Sequence, residues 1–115
     1  KGYMGFGEAY FSQIEHGKAK GWKRHNRMTL NLIVLVGAIK FVIFDDRENS
    51  ITYGQFQEII LSPENNYQRL TVEPGLWMAF YCEGEGVSML MDIIPEPHDP
   101  SEASCMDLSA IDYQF

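Results

Sequence analysis

The chain has 115 residues, 45% of them hydrophobic and 13% aromatic, and a formal net charge of −7 from 9 basic and 16 acidic side chains. That length fits one domain over residues 1–115 with enough apolar content to bury a core, and the composition excludes an intrinsically disordered chain. The acidity disfavours polyanions, so neither nucleic acid nor an anionic membrane is an expected partner. The charge is unevenly spread. All nine bases lie between Lys1 and Arg69 with seven acids, net +2, while Leu70 to Phe115 carries nine acids and no Lys or Arg, net −9. Five of the bases, Lys18, Lys20, Lys23, Arg24 and Arg27, fall within ten residues.

In chain order, Glu8 to Ile14 reads as a strand. Met28 to Val36 and Ile39 to Phe44 read as two strands joined by a tight turn at Gly37. Phe56 to Leu61, Leu70 to Val72, Trp77 to Cys82 and Val87 to Ile94 follow, separated by turn signals such as Ser62-Pro63-Glu64-Asn65-Asn66, Glu73-Pro74-Gly75 and Glu83-Gly84-Glu85-Gly86. Short strands rich in Val, Ile, Phe and Tyr at this spacing predict an all-β sandwich or small barrel. Only Pro100 to Leu108 could form a short helical turn, with Asp99 as its cap. Residues 95–115 are polar and acidic and are expected to wrap the surface as a tail. Asn31 to Val36 is apolar on both faces, which suits a central strand or a homodimer interface.

The longest apolar run, Leu32 to Val36, is far too short to span a bilayer. The chain opens on Lys1 rather than Met, the expectation for a trimmed piece, and its first residues lack the apolar core of a signal peptide. Cys82 and Cys105 fit no CxxC or Cys/His ligand spacing and are expected as reduced thiols in a cytoplasmic protein.

Two ordered segments carry more than composition. The first is Lys20-Gly21-Trp22-Lys23-Arg24-His25, followed by Met28-Thr29-Leu30-Asn31-Leu32. The second runs through Asp45-Asp46-Arg47, Ser50, Thr52 and Gly54 to Leu61-Ser62 and Glu64-Asn65, then Pro74-Gly75 and Phe80. With Pro97-His98-Asp99-Pro100 and Ile111-Asp112-Tyr113, this set resembles the dTDP-4-dehydrorhamnose 3,5-epimerase family, and within it a shorter epimerase-related branch. The resemblance covers roughly Gly7 to Phe115. It implies a cupin jelly roll (a double-stranded β-helix) and a nucleotide-sugar epimerase or isomerase. Such enzymes move a proton next to a 4-keto group without metal or cofactor. A histidine serves as base and a tyrosine as acid, and Arg or Lys side chains hold the diphosphate.

Carried over position by position, the family's substrate-binding Arg falls on Lys20 and its base His on Lys23, while His25 keeps the second position of a His-x-His pair. The catalytic tyrosine falls near Ile93 or Ile94, neither of which can move a proton. The metal-cupin ligand positions fall on Lys23, His25, Leu30 and Met78, and one imidazole does not make a metal site, so no metal is expected. His16 and His98 lie outside the motif and read as loop histidines. The candidate catalytic set is His25, Lys23, Asp45 and Asp92, and the candidate substrate-binding set is Lys20, Arg24, Arg27 and Trp22. Imidazole is the natural proton carrier near neutral pH. Burial of Lys23 would favour its uncharged form and make it a base or a Schiff-base former. Asp45 continues the alternation of Phe41 and Ile43 and would share their face, or else cap the turn to Ser50. Asp92 breaks an apolar strand, and a buried carboxylate needs a partner. Arg47, Ser50, Thr52 and Gly54 read as turn-shaping, and Met78, Met89, Leu90 and Met91 as core.

Three readings stay open: an enzyme acting on a nucleotide-linked keto sugar, a non-catalytic cupin that binds a sugar or sugar nucleotide, and a structural dimerising domain. Burial separates them. Lys23 and His25 facing bulk solvent would exclude the enzyme. An open cavity holding His25 within hydrogen-bond reach of a carboxylate would weaken the other two.

Overall fold

The structure, a computed structural model, describes residues 2–115. Among the described residues, nine strands form two antiparallel sheets. They are β1 (Glu8–Glu15), β2 (Ala19–His25), β3 (Leu30–Val36), β4 (Ile39–Phe44), β5 (Phe56–Leu61), β6 (Leu70–Val72), β7 (Trp77–Cys82), β8 (Val87–Ile94) and β9 (Ala103–Cys105). A four-stranded sheet runs β1-β8-β3-β6 and a five-stranded sheet runs β5-β4-β7-β2-β9. The two face each other as a jelly roll, the architecture expected of a cupin. No helix among the described residues is long and apolar enough to cross a membrane.

The turn at Gly37 does not make a hairpin: β3 and β4 lie in different sheets, and the chain crosses between them there. Gly37 has φ +81°, and a side chain at this position would collide with Ser88. Ser88 is itself fixed, accepting from the Ala38 N–H at 3.1 Å. Glycine supplies both the left-handed conformation and the clearance.

Between the sheets, Ile14, Leu30, Leu32, Val34, Phe41, Leu61, Met78, Leu90 and Ile94 are buried in one apolar layer. Each such side chain contributes about 2 kcal/mol relative to exposure. A second cluster, Trp22, Val42, Trp77, Ala79 and Ile111, lies on the outer face of the five-stranded sheet, where Tyr113 and Phe115 of the C-terminal segment pack onto it. β4 and β7 are therefore buried on both faces, Phe41 and Val42 each at 0% exposure on β4 and Met78 and Ala79 at 8% and 0% on β7. β3, the sequence candidate for that role, turns Leu30, Leu32 and Val34 inward and leaves Ile33 and Leu35 half-buried.

The segment after Pro95 does more than wrap the surface. Asp99 caps a short 3-10 turn at Pro100–Glu102, accepting from the Ser101 N–H, as its sequence predicted. The turn ends early, because the chain becomes extended at Ala103 and adds β9 to the edge of β2. Through this segment Glu102 enters the interior, only 3% exposed.

Candidate active site

β2 holds the basic segment, and sequence patterning alone does not reveal it as a strand. Against β7, Lys20 pairs with Phe80 and Lys23 with Met78, so three steps on β2 meet two on β7. This is a β-bulge, one extra residue on one strand. Strand alternation would put Lys20 and Lys23 on opposite faces; the bulge returns both to the inner one. Gly21 is the residue that allows it. Its φ is +147°, and an added Cβ would lie 2.5 Å from the Ala79 Cβ.

The inner face of β2 opens onto a cleft of about 310 Å³ between the sheets. Tyr10, Ser12, Lys20, Lys23, His25, Asp92 and Cys105 supply its polar wall, over a floor that includes Leu30, Leu32, Met78, Phe80 and Leu90. His25, 7% exposed, sits with Nδ1 2.6 Å from Oε1 of Glu102. The other carboxylate oxygen of Glu102 accepts from the backbone N–H groups of Arg27 at 2.7 Å and Met28 at 2.9 Å. Burial works to raise the Glu102 carboxyl, but these two N–H donors and His25 outweigh it and hold the group below the usual carboxylate range. An ionised carboxylate only accepts hydrogen bonds. The His25 proton therefore sits on Nδ1, which leaves Nε2 free to take another.

Asp92, 6% exposed on β8, enters the cleft from the opposite sheet, and its Oδ1 has no hydrogen-bond partner among the described residues. Burial pushes its carboxyl up to about 7, with the Lys23 ammonium pulling the other way. Beside it on β1, Tyr10 is pushed up to about 12, first by burial and then by the charges of Asp92, Glu8 and Glu102. The inward positions at the end of β8 are thus Asp92 and Ile94, while Ile93 is half-buried on the other face.

The remaining candidates lie elsewhere. Asp45 does not share the cleft. Phe44 ends β4, and Asp45 is turned into the following loop. There it accepts two guanidinium bonds from Arg47, at 2.9 and 3.0 Å, and hydroxyl bonds from Ser50 and Thr52. The Arg47 bonds, working against burial and helped by both hydroxyls, hold its carboxyl well below the usual range. With every oxygen engaged, Asp45 ties the loop together and lines a separate cleft of about 270 Å³. Arg24 and Arg27 also stay out, because alternation and the end of β2 aim them at the surface. Arg24 lies over the Trp77 ring at 4.8 Å. Arg27 binds Glu96 in a two-pronged pair at 2.7 and 3.0 Å. Trp22 borders the cleft, yet at 1% exposure its indole is committed to the C-terminal segment, with Nε1 donating to the Leu108 carbonyl at 3.2 Å. No open ring face is left to stack on a base or sugar.

Two residues, Glu102 behind His25 and Tyr10 on the cleft wall, escape sequence reading. Glu102 lies 77 positions from His25 in an acidic tail with no local sign of burial. Tyr10 looks like any strand tyrosine; only its alternation with the buried Ile14 hinted that it faces inward. Among the described residues no group of three or more His, Cys, Asp or Glu side chains could hold a metal ion.

A jelly roll whose cleft is lined by a buried histidine, a lysine and an unpartnered carboxyl defines a cupin with a polar site between its sheets. Comparison with known proteins narrows the class. No protein-family model matches the chain. The crystal structure of a dTDP sugar isomerase from Desulfovibrio desulfuricans is 32% identical with a TM-score of 0.92, over 97% of this chain and 73% of that one. The dTDP-4-dehydrorhamnose 3,5-epimerase of Bacillus anthracis, solved with TDP and PPi bound, is 26% identical with a TM-score of 0.80, over 91% of this chain and 61% of that one. A probable low-salt glycan biosynthesis epimerase of Haloferax volcanii is 29% identical over 82% of this chain. The chain spans 62% of the length of that curated relative. It belongs to the cupin family of dTDP-4-dehydrorhamnose 3,5-epimerases and related dTDP-sugar isomerases.

Proposed function

We propose that this chain is a cofactor-independent epimerase or isomerase acting on a nucleotide-linked, dTDP-type 4-keto-deoxy sugar. The observation that carries the reading is the His25–Glu102 pair, 2.6 Å apart, with His25 lining the same cleft as Lys23 and Asp92. Its chemistry needs no redox group, because a proton next to a ketone is already acidic enough for a positioned base. His25 Nε2 takes the proton from the carbon beside the ketone. The C–H electron pair becomes the C=C bond of an enolate, and the carbonyl π pair moves onto oxygen. Reprotonation of the same carbon from the other face gives the epimer; where that carbon bears a hydroxyl, transfer of the hydroxyl proton to the former carbonyl oxygen and reprotonation at the former carbonyl carbon give the isomer, with the new C=O on the hydroxyl-bearing carbon. The Lys23 ammonium favours the developing negative charge. Lys20, on the cleft wall with its Nζ donating to the Gln13 carbonyl at 2.7 Å, is the cation suited to the sugar's diphosphate.

A binding module without turnover would need no imidazole held in one tautomer by a buried carboxylate, and the enzyme reading is preferred for that reason. The test is solvent-deuterium incorporation into a panel of dTDP-4-keto sugars. The wild-type chain is expected to exchange at least one of them, and Lys23→Ala and His25→Ala to slow exchange by about a hundredfold. No exchange with any substrate, or exchange unaffected by both substitutions, overturns the assignment.

The active form is a homodimer. The outer face of the four-stranded sheet alternates into Phe11, Ile33, Leu35, Met89, Met91 and Ile93, and Phe11 is 59% exposed. An apolar face of this kind fits a second copy. Light scattering at micromolar concentration is expected to give twice the chain mass, and a monomer would remove the dimer from the proposal.

A further inference from the structure

The base side of the cleft comes from the five-stranded sheet. The charge that forms on the substrate oxygen needs its own donors, and the family's tyrosine position falls on isoleucine. The four-stranded sheet opposite offers two groups. Tyr10 on β1 and Asp92 on β8 are direct cross-strand partners. Both side chains line the cleft that also holds His25. Asp92 is nine-tenths buried, and its Oδ1 is left without a hydrogen-bond partner among the described residues. A buried polar atom with no partner costs free energy unless something that binds there satisfies it.

We propose that Tyr10 and the carboxyl of Asp92 form a two-donor oxyanion site that holds the enolate oxygen of the keto sugar across the cleft from His25. The proposal rests on the proton-transfer reading of the cleft and adds to it the residues that stabilise the intermediate. His25 gains the carbon-bound proton, the carbonyl oxygen gains the electron pair, and the two O–H groups donate hydrogen bonds without losing their protons. Burial favours the neutral form of each group. Tyr10 stays a phenol at every physiological pH, and Asp92 keeps its proton up to about 7. A phenol and a neutral carboxylic acid side by side in an apolar site are suited to stabilising an enolate. Lys23 facing Asp92 works against its protonation, and the charge of Glu102 lies behind His25. Above pH 7 the carboxyl ionises, one donor is lost, and a negative charge then faces the enolate.

Steady-state turnover and deuterium exchange of a dTDP-4-keto sugar test this in the wild-type chain, Tyr10→Phe and Asp92→Asn, with thermal unfolding to verify each fold. Tyr10→Phe keeps the ring and loses one donor, so kcat is expected to fall about a hundredfold with KM changed less than about threefold. Asp92→Asn keeps an N–H donor that cannot ionise, so the wild-type fall in kcat above pH 7 is expected to disappear. A Tyr10→Phe enzyme within about threefold of wild type, or an alkaline fall that survives in Asp92→Asn, overturns the oxyanion site while a His25-dependent wild-type activity leaves the epimerase reading standing. Absence of any wild-type turnover overturns both.

Discussion

Asp92→Asn is expected to make the protein more stable, by an amount that grows with pH. The native carboxyl titrates near 7 because burial disfavours its charged form, whereas an aspartate in water titrates at 3.8. Between those values the native state holds a proton that the unfolded chain has already released. Stability therefore falls as pH rises from about 4 to 7, and the whole penalty stands above 7. The gap between the two titrations sets that penalty at about 4 kcal/mol. Asparagine carries no charge to desolvate, so the variant escapes it. Urea unfolding is expected to show near-equal stability at pH 4 and a gain of about 2–4 kcal/mol at pH 8. A loss of stability at pH 8, or a gain independent of pH, would contradict the burial of an unpartnered carboxyl. Retaining a destabilising group inside the cleft is the pattern of a functional site, where local cost is tolerated for chemistry.

The fold was largely legible because its strands are short, β-branched and punctuated. Ile39–Phe44 and Phe56–Leu61 run over their predicted residues, and Trp77–Cys82 and Val87–Ile94 do the same. β2 was not legible as a strand. Lys and Arg dilute its β propensity, and the bulge at Gly21 breaks the period of two that patterning relies on. The motif resemblance nevertheless drew attention to Lys20, Lys23 and His25 on it. Asp45 lies one residue past the end of β4, beyond the reach of strand alternation, where Arg47, Ser50 and Thr52 supply local donors that outcompete the barrel interior. The basic segment supplied Lys20, Arg24 and Arg27 as substrate-binding candidates and Lys23 as a catalytic one. Strand geometry splits it, with Lys20 and Lys23 lining the cleft and Arg24 and Arg27 on the surface.

The division of charge between the two parts of the chain acquires a structural meaning. The basic segment and the acidic tail meet. Arg27 pairs with Glu96 at 2.7 Å and reaches Asp99 at 3.7 Å, while His25 pairs with Glu102. The exposed Arg27 pairs contribute little on their own. Their consequence is geometric, since they fasten the Pro97–Pro100 stretch beside the β2–β3 loop and so deliver Glu102 to the interior. No local window of sequence encodes a contact of that range, which is why the tail read only as a solvated wrap.

Glu102→Gln is the substitution expected to damage function most while sparing the fold. The amide oxygen can still accept from the Arg27 and Met28 N–H groups, so the buried backbone stays satisfied. The amide nitrogen then faces His25 Nδ1 and donates to it. That forces the imidazole proton onto Nε2, the nitrogen that must be free to abstract a proton. The expected result is a fall in kcat of about a thousandfold with little change in KM, the signature of a base trapped in the wrong tautomer. Glu102→Ala differs. It orphans both N–H groups and the ring, and is expected to cost about 3 kcal/mol of stability besides activity. In the wild-type chain the carboxylate's contribution to stability is present above the ordinary Glu range and lost as pH falls through its lowered native value, so acid should loosen this corner. Nitrogen-15 NMR of the His25 ring reads the tautomer directly. A Glu102→Gln variant with Nδ1 still protonated and near-wild-type turnover would remove the His25–Glu102 pair from the mechanism.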